Sequence, residues 1–258
     1  MSIQGLEELV ARVRSGVVHL IIHRGKERLG SGTGFFVSNK LIVSHHVALG
    51  IPPGAGLAVR FHDTAPAQAD YSFSREQIQR ATCAASNDRE YDYAILDLPE
   101  LLQHNPFQFK FAEHDPKVGQ SIAFLGYPRE QWYLTCHTGI VSGIYLSGVA
   151  TMLQLDASVN PSNTGGPVFD ESGDVLGIVT QKATGLADAF DNLLKSFDAA
   201  ISVLSGTSFF TTTSQAMIAV QQQMKEVARQ LQRSASAGTG FAIACDEIKK
   251  ENIWRSAA

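Results

Sequence analysis

The chain has 258 residues, 44% of them hydrophobic and 18% charged, with a formal net charge of -4. These are globular-protein values, and the mild acidity leaves no electrostatic footprint for nucleic acid or a membrane surface. The three cysteines, Cys83, Cys136 and Cys245, are too sparse and too widely spaced for a disulfide framework or a metal site. They fit a reducing compartment, with a Cys83–Cys136 pairing left open and Cys136 and Cys245 read as small buried hydrophobes.

At the N-terminus, Glu7, Glu8, Arg12 and Arg14 interrupt the apolar residues, which is not the pattern of a signal peptide. No stretch approaches the roughly 20 apolar residues of a membrane span, so the expected setting is cytoplasmic and soluble. Leu6, Leu9, Val10 and Val13 predict an amphipathic helix over 5–14. Val17–Ile22 reads as a strand, Gly30–Gly34 as a turn cluster, and Phe35–Val37 and Leu41–Val43 as two short strands around a polar bend. Residues 51–90 read mainly as long loops, with a short helix near Ser74–Arg80. Further strands are predicted at 57–61, 93–98, 120–126, 138–145, 151–155, 166–169 and 174–180. Many short strands with Gly- and Pro-rich turns predict a mainly β barrel or sandwich.

Residues 186–233 break the pattern with two helices. The first carries Leu186, Phe190, Leu193, Leu194, Phe197, Ile201 and Leu204 on one face and stops at Ser205-Gly206. The second carries Met217, Val220, Met224, Val227 and Leu231 at alternating spacings of three and four. Antiparallel pairing is expected to bury both seams. Strand structure resumes at 238–243.

Three short stretches carry chemistry. Val43-Ser44-His45-His46-Val47 puts a histidine directly after an apolar strand. Tyr91-Asp92-Tyr93-Ala94-Ile95-Leu96 puts an acid just before one. Asn160-Pro161-Ser162-Asn163-Thr164-Gly165-Gly166-Pro167 puts a hydroxyl before a glycine turn. A hydroxyl nucleophile needs an imidazole to take its proton and a carboxylate to fix the imidazole's tautomer. The glycines let backbone N–H groups point at a developing oxyanion. His, then Asp, then nucleophile is the chain order of chymotrypsin-like enzymes.

Together with Gly30–Phe35, Val118-Gly119, Gly126-Tyr127-Pro128, Thr138–Ser142, Gly177–Thr180 and Gly240–Ile243, these stretches resemble the trypsin-like peptidases, and most the HtrA-type protease domain. The resemblance covers about 5–185 and 236–248. It implies one trypsin-like peptidase domain, a chymotrypsin-like double β-barrel with an inserted helical hairpin. The first barrel would span about 15–112, the second about 113–248, and the insert about 186–233. It implies a serine-type endopeptidase acting on a protein or peptide substrate, with no cofactor and no metal. His46 would be the general base, Asp92 the orienting acid and Thr164 the nucleophile, with the Ser162 and Thr164 amides as oxyanion hole. Ser158, Thr180 and Lys182 would face substrate. His45, Asp88 and Asp97 are near misses, and the remaining histidines read as structural.

Two positions depart from the family pattern. Thr164 stands where the family has serine, and its extra methyl restricts χ1 and crowds the histidine and the substrate carbonyl. Three readings stand open there: a slow natural nucleophile, a substitution that disarms the enzyme, and a pseudoprotease that binds peptides without turnover. Ser162 stands where the pattern has glycine, a milder change. Asn163 cannot make the ion pair with a new N-terminus that activates secreted trypsins. The chain shows no counterpart of the PDZ domain that HtrA proteins append, so the helical insert is expected to contact a partner protein, self-associate or gate the pocket, with a passive lid packed on the barrel as the open alternative.

Overall fold

The computed structural model describes residues 3–61, 71–87, 90–128, 132–180, 185–205, 212–235 and 238–257. They form two compact units, one of residues 1–181 with 238–258 and one of residues 182–237.

The first unit opens with α1 (Ile3–Val13) and then builds two sheets. The first sheet holds β1 (Val17–Arg24), β2 (Glu27–Val37), β3 (Lys40–Val43), β4 (Gly56–Phe61), β5 (Tyr71–Ser74), β6 (Thr82–Ser86) and β7 (Tyr93–Leu96), in the order β5-β4-β1-β2-β3-β7-β6. One helical turn, α2 (His45–Ala48), follows β3, and α3 (Arg75–Ala81) follows β5. The second sheet holds β8 (Lys110–Phe111), β9 (Ser121–Gly126), β10 (Thr135–Ser147), β11 (Ala150–Leu155), β12 (Pro167–Phe169), β13 (Asp174–Thr180) and β14 (Gly240–Ala244). Its order is β12-β9-β10-β11-β14-β13-β8, and pairing of β12 with β13 closes six of these strands into a barrel. The first sheet curls as a half-barrel. Together they make a chymotrypsin-like, mainly β fold, and the helices inserted between β13 and β14 are α4 (Gly185–Ser205) and α5 (Thr212–Ala235).

Side chains alternate across a strand, and here both sides are apolar for a reason. Leu41 and Val43 of β3 point into the core of the first sheet, whereas Ile42 between them points into a second core. That second core also takes Val17 and Phe35 from the first sheet and Ala123, Leu125, Phe169 and Ile178 from the second. Ile122 and Phe124 of β9 face the other way, into the interior of the closed barrel. The continuous apolar runs in the sequence are thus strands clamped between two cores. The polar bend between β2 and β3 is Ser38-Asn39, with φ of 47° and 64°, the left-handed pair that a tight hairpin requires.

Four expectations need correction. Gly30–Gly34 is not a turn but the middle of β2. Its glycines are needed for close approach, since a Cβ on Gly32 would lie 2.9 Å from a Val47 methyl, and one on Gly34 2.9 Å from a Val43 methyl. The loops expected over 51–90 contain β5 and β6. Both are edge strands, and of β5 only Phe73 is buried, so neither carries a strong alternation. Cys136 is exposed rather than buried, and all three cysteines are free thiols, so Cys83 and Cys136 are not paired. The helix near Ser74 is present, with Ser74 as its N-cap in a reciprocal capping box with Gln77.

The fourth correction concerns the second unit. In α4, Phe190, Leu194, Phe197, Ile201 and Leu204 are partly buried. In α5, the least exposed positions are Ser214, Ile218, Gln221, Lys225 and Ala228, and Lys225 forms an ion pair with Asp198 of α4. The stripe Met217, Val220, Met224, Val227 and Leu231 is exposed, each residue at 51% or more. A small alanine and the long apolar stem of a lysine fill the space beside α4 in its place. Among the described residues no helix is long and apolar enough to cross a membrane.

Candidate active site

β3 delivers the chain into α2 with His46 in its first turn. Asp92 immediately precedes β7, the neighbour of β3 in the sheet. It holds a left-handed backbone with φ of 42°, a conformation that aspartate tolerates better than most residues. Its amide donates to Asn87 O at 3.0 Å, and its carbonyl accepts the His45 amide at 3.2 Å. The carboxylate is thereby aimed at His46. The imidazole Nδ1 lies 2.9 Å from Oδ2 and 3.0 Å from Oδ1, and the His46 main-chain N–H donates to Oδ1 at 3.1 Å. The aspartate side chain is 6% exposed and that of the histidine 45%. A carboxylate this buried, meeting an imidazole open to solvent, fixes the proton on Nδ1 and leaves Nε2 as the acceptor. His45 offers Asp92 only its backbone. Asp97 pairs with Lys40 at 2.7 Å, and Asp88 lies outside the described residues.

Thr164 is buried, 1% exposed, just after a 3-10 turn, Pro161–Asn163. β2 supports the loop from below. The Thr33 amide donates to Thr164 O at 3.0 Å, the Thr33 hydroxyl donates to Ser162 O at 2.9 Å, and the Ser31 and Ser162 hydroxyls lie 2.9 Å apart. The Gly165 amide donates to Val179 O at 2.9 Å and the Gly166 amide to Asn163 O at 3.0 Å. Gly165 has φ of 89°, and a Cβ there would lie 2.2 Å from Thr33 O and 3.0 Å from the Ser44 hydroxyl. Ser44 and Val47, which flank the two histidines, thus close on the loop around Thr164, Val47 through Gly32. The segments bearing His46 and Thr164 adjoin, one from each sheet. Ser162 is not among the left-handed residues, so its Cβ brings no backbone strain.

The other expected positions fall as follows. Ser158 is exposed, and its hydroxyl accepts the Gly238 amide at 3.0 Å. Thr180 is buried at the end of β13, in register with Phe241. Lys182 lies outside the described residues. Among the described residues no group of three or more His, Cys, Asp or Glu is arranged to hold a metal ion.

Sequence reasoning missed the supports of the loop. Ser31 and Thr33 share one face of β2, and their hydroxyls are separated from the loop by about 130 residues of chain. Their signal was the alternation Gly-Ser-Gly-Thr-Gly, a strand with hydroxyls on one face and bare backbone on the other. Asn163 is fully buried, with Nδ2 3.4 Å from His137 Nε2. His137 stacks on Phe124 with ring centroids 4.7 Å apart, and burial holds its pKa below the usual 6.5.

The trypsin-like peptidase domain family matches residues 32–178, more than half of the chain, a span that includes His46, Asp92 and Thr164. The chain belongs to the trypsin-like peptidase family. It is similar to a probable periplasmic serine endoprotease, DegP-like, of Hahella chejuensis, at 29% identity over 60% of this chain and 30% of the relative. The chain thus spans under a third of that curated relative. Among solved structures it is similar to the Rv3671c protease of M. tuberculosis in its active form, at 21% identity and a TM-score of 0.59, covering 96% of this chain and 83% of the other. It is also similar to the HtrA-type protease AlgW with a tripeptide, at 23% identity and a TM-score of 0.51, covering 67% and 53%. At these identities the structural likeness speaks for the fold.

Proposed function

We propose that this chain is a serine-type endopeptidase domain of the HtrA type, hydrolysing peptide bonds in a protein substrate by acyl transfer. The observation that carries the reading is the His46–Asp92 pair set against the loop of Thr164. In the mechanism, the Thr164 hydroxyl attacks the scissile carbonyl while His46 Nε2 takes its proton. Asp92 holds the Nδ1 proton and stabilises the imidazolium that forms. The Ser162 and Thr164 amides receive the oxyanion. His46 then protonates the leaving amine, and water admitted in its place releases the acyl group.

The Thr164 methyl works against this chemistry. Threonine has fewer accessible χ1 rotamers than serine, and a misplacement of the attacking atom by about 1 Å can cost about a hundredfold in rate. Turnover is therefore slow with threonine and rises at least about tenfold in Thr164→Ser. The test is labelling by a fluorophosphonate, with hydrolysis of a peptide library, in both forms and in His46→Ala. Labelling of neither form would support the second reading, a peptide-binding pseudoprotease, which the buried methyl at Thr164 favours. The neighbour solved with a tripeptide supports peptide as the ligand of either. Ser158 at the expected pocket floor is no acid to pair with a basic side chain, so strict cleavage after Lys or Arg would count against the assignment of Ser158, Thr180 and Lys182 to the pocket.

A further inference from the structure

We propose that two copies of this chain associate through α5, stripe against stripe, about a two-fold axis. Met217, Val220, Met224, Val227 and Leu231 alternate spacings of three and four along about 21 Å of helix, the spacing of a coiled-coil seam. Their exposures lie between 51% and 55%. Single exposed apolar residues are ordinary, whereas an aligned stripe of this kind marks a contact surface. The hairpin does not need the stripe, because α5 meets α4 along a different line of residues, with Ala228 buried and Lys225 paired with Asp198.

Charge selects the occupant. The residue just before each a-type position of the seam, on its open flank, is Ala216, Gln223 or Gln230, all uncharged and exposed. The charges between 214 and 231 are engaged elsewhere, Lys225 with Asp198, and Glu226 with Arg229 at 3.6 Å. A helix that lies on a membrane carries lysines and arginines along its polar flank, and a charged partner is met by the opposite charge. A neutral seam bordered by glutamine instead fits another neutral seam, and this chain supplies one. Two copies meet with no like charges opposed, and an isologous contact closes on itself. Two such hairpins joined at α5 make a four-helix arrangement, in which facing stripes bury one another.

The test is sedimentation velocity on the full chain at about 1 to about 100 µM, the range in which a micromolar dimer dissociates. The unaltered chain is expected to approach twice the monomer mass at the upper end. Met224→Glu with Val227→Glu places four carboxylates at the joined seam and is expected to raise the dimer dissociation constant at least a hundredfold, with helical circular dichroism and melting temperature kept. Met224→Leu with Val227→Ile is expected to remain dimeric. A monomer throughout the range overturns the proposal, whether or not the stripe is then protected from hydrogen exchange by another part of the chain. So does a dimer that survives both glutamates, since its contact lies elsewhere.

Discussion

Replacing Asp92 by asparagine tests the proposed triad at its most constrained point. The carboxylate receives three contacts from His46, two at Oδ1 and one at Oδ2. An amide has one acceptor atom. If its oxygen takes the Oδ1 position, it still serves the His46 main-chain N–H, but its NH2 then faces Nδ1 at about 2.9 Å, the present Oδ2 distance. Two donors oppose each other across that gap, and although the oxygen at Oδ1 stays 3.0 Å from Nδ1, the opposition favours the tautomer with its proton on Nε2. Nε2–H then points toward the nucleophile, and the base is lost while the geometry survives. The expected loss in turnover is about 10⁴-fold, or roughly 5.5 kcal/mol of barrier. Stability should change by only about 1 kcal/mol, because the amide oxygen keeps the His46 main-chain hydrogen bond and the imidazole is partly open to solvent. The assay has two parts. Nitrogen-15 shifts of His46 report the tautomer whatever the activity, and hydrolysis is compared in the Thr164→Ser background, where rates are high enough to measure. An Asp92→Asn protein that keeps its proton on Nδ1, or loses less than tenfold in rate, would refute the reasoning.

Gly165→Ala should cost about 3 kcal/mol or more in urea denaturation, combining a left-handed alanine with a Cβ driven to 2.2 Å from Thr33 O. Gly148→Ala, left-handed but with open space around it, should cost only about 1 kcal/mol, and equal losses would show that the loop contact carries no weight. Burial pushes the Cys245 thiol up to about 12 from 9.0, so its stabilising contribution is intact below pH 9 and disappears as pH rises toward 12. At pH 8 Ellman's reagent should titrate Cys83 and Cys136 in the native protein and reach Cys245 only on unfolding; three fast thiols would contradict the buried assignment. His137, held below 6.5 by burial, should destabilise the fold as pH falls through that range, because the unfolded chain takes the proton first. His114, raised by its bonds to the Asp115 carbonyl and Asp170, contributes the opposite slope, so the measurement is the difference between the parent and His137→Phe, which should be the flatter on the acid side.

How far the sequence was legible depended on the range of the interactions involved. His46 and Asp92 stand out because each is a polar residue at the end of an apolar strand, and those strands are neighbours, so local pattern leads directly to the pair. Thr164 was legible through the glycines that follow it. Ser31, Thr33 and His137 were not, since each acts on the 162–164 segment through contacts between strands distant in sequence. Gly30–Gly34 misled because glycine marks both a turn and a close approach of backbone, and only the positions of Val43 and Val47 separate the two. The α5 stripe shows the same limit from another side. Periodicity declares that a helix has an apolar line, and only the packing of α4 reveals that the line does not face it.

The alternation of β3 between two cores also bears on how the molecule folds. Neither sheet can bury the outer side of its central strands alone, because Val17, Phe35 and Ile42 are covered by residues of the other sheet. Leu9 and Val13 of the N-terminal helix and Cys245 and Ile248 near the C-terminus enter the same core, so it is sealed by both ends of the chain. Heating should therefore melt the two sheets in a single transition, with calorimetric and van't Hoff enthalpies that agree. A partly folded chain would hold His46 on one sheet and Thr164 beside the other with nothing to bring them together. On the proposed function, the nucleophile and its base would meet only once both sheets have folded, so hydrolysis should return on refolding no earlier than the shared core does.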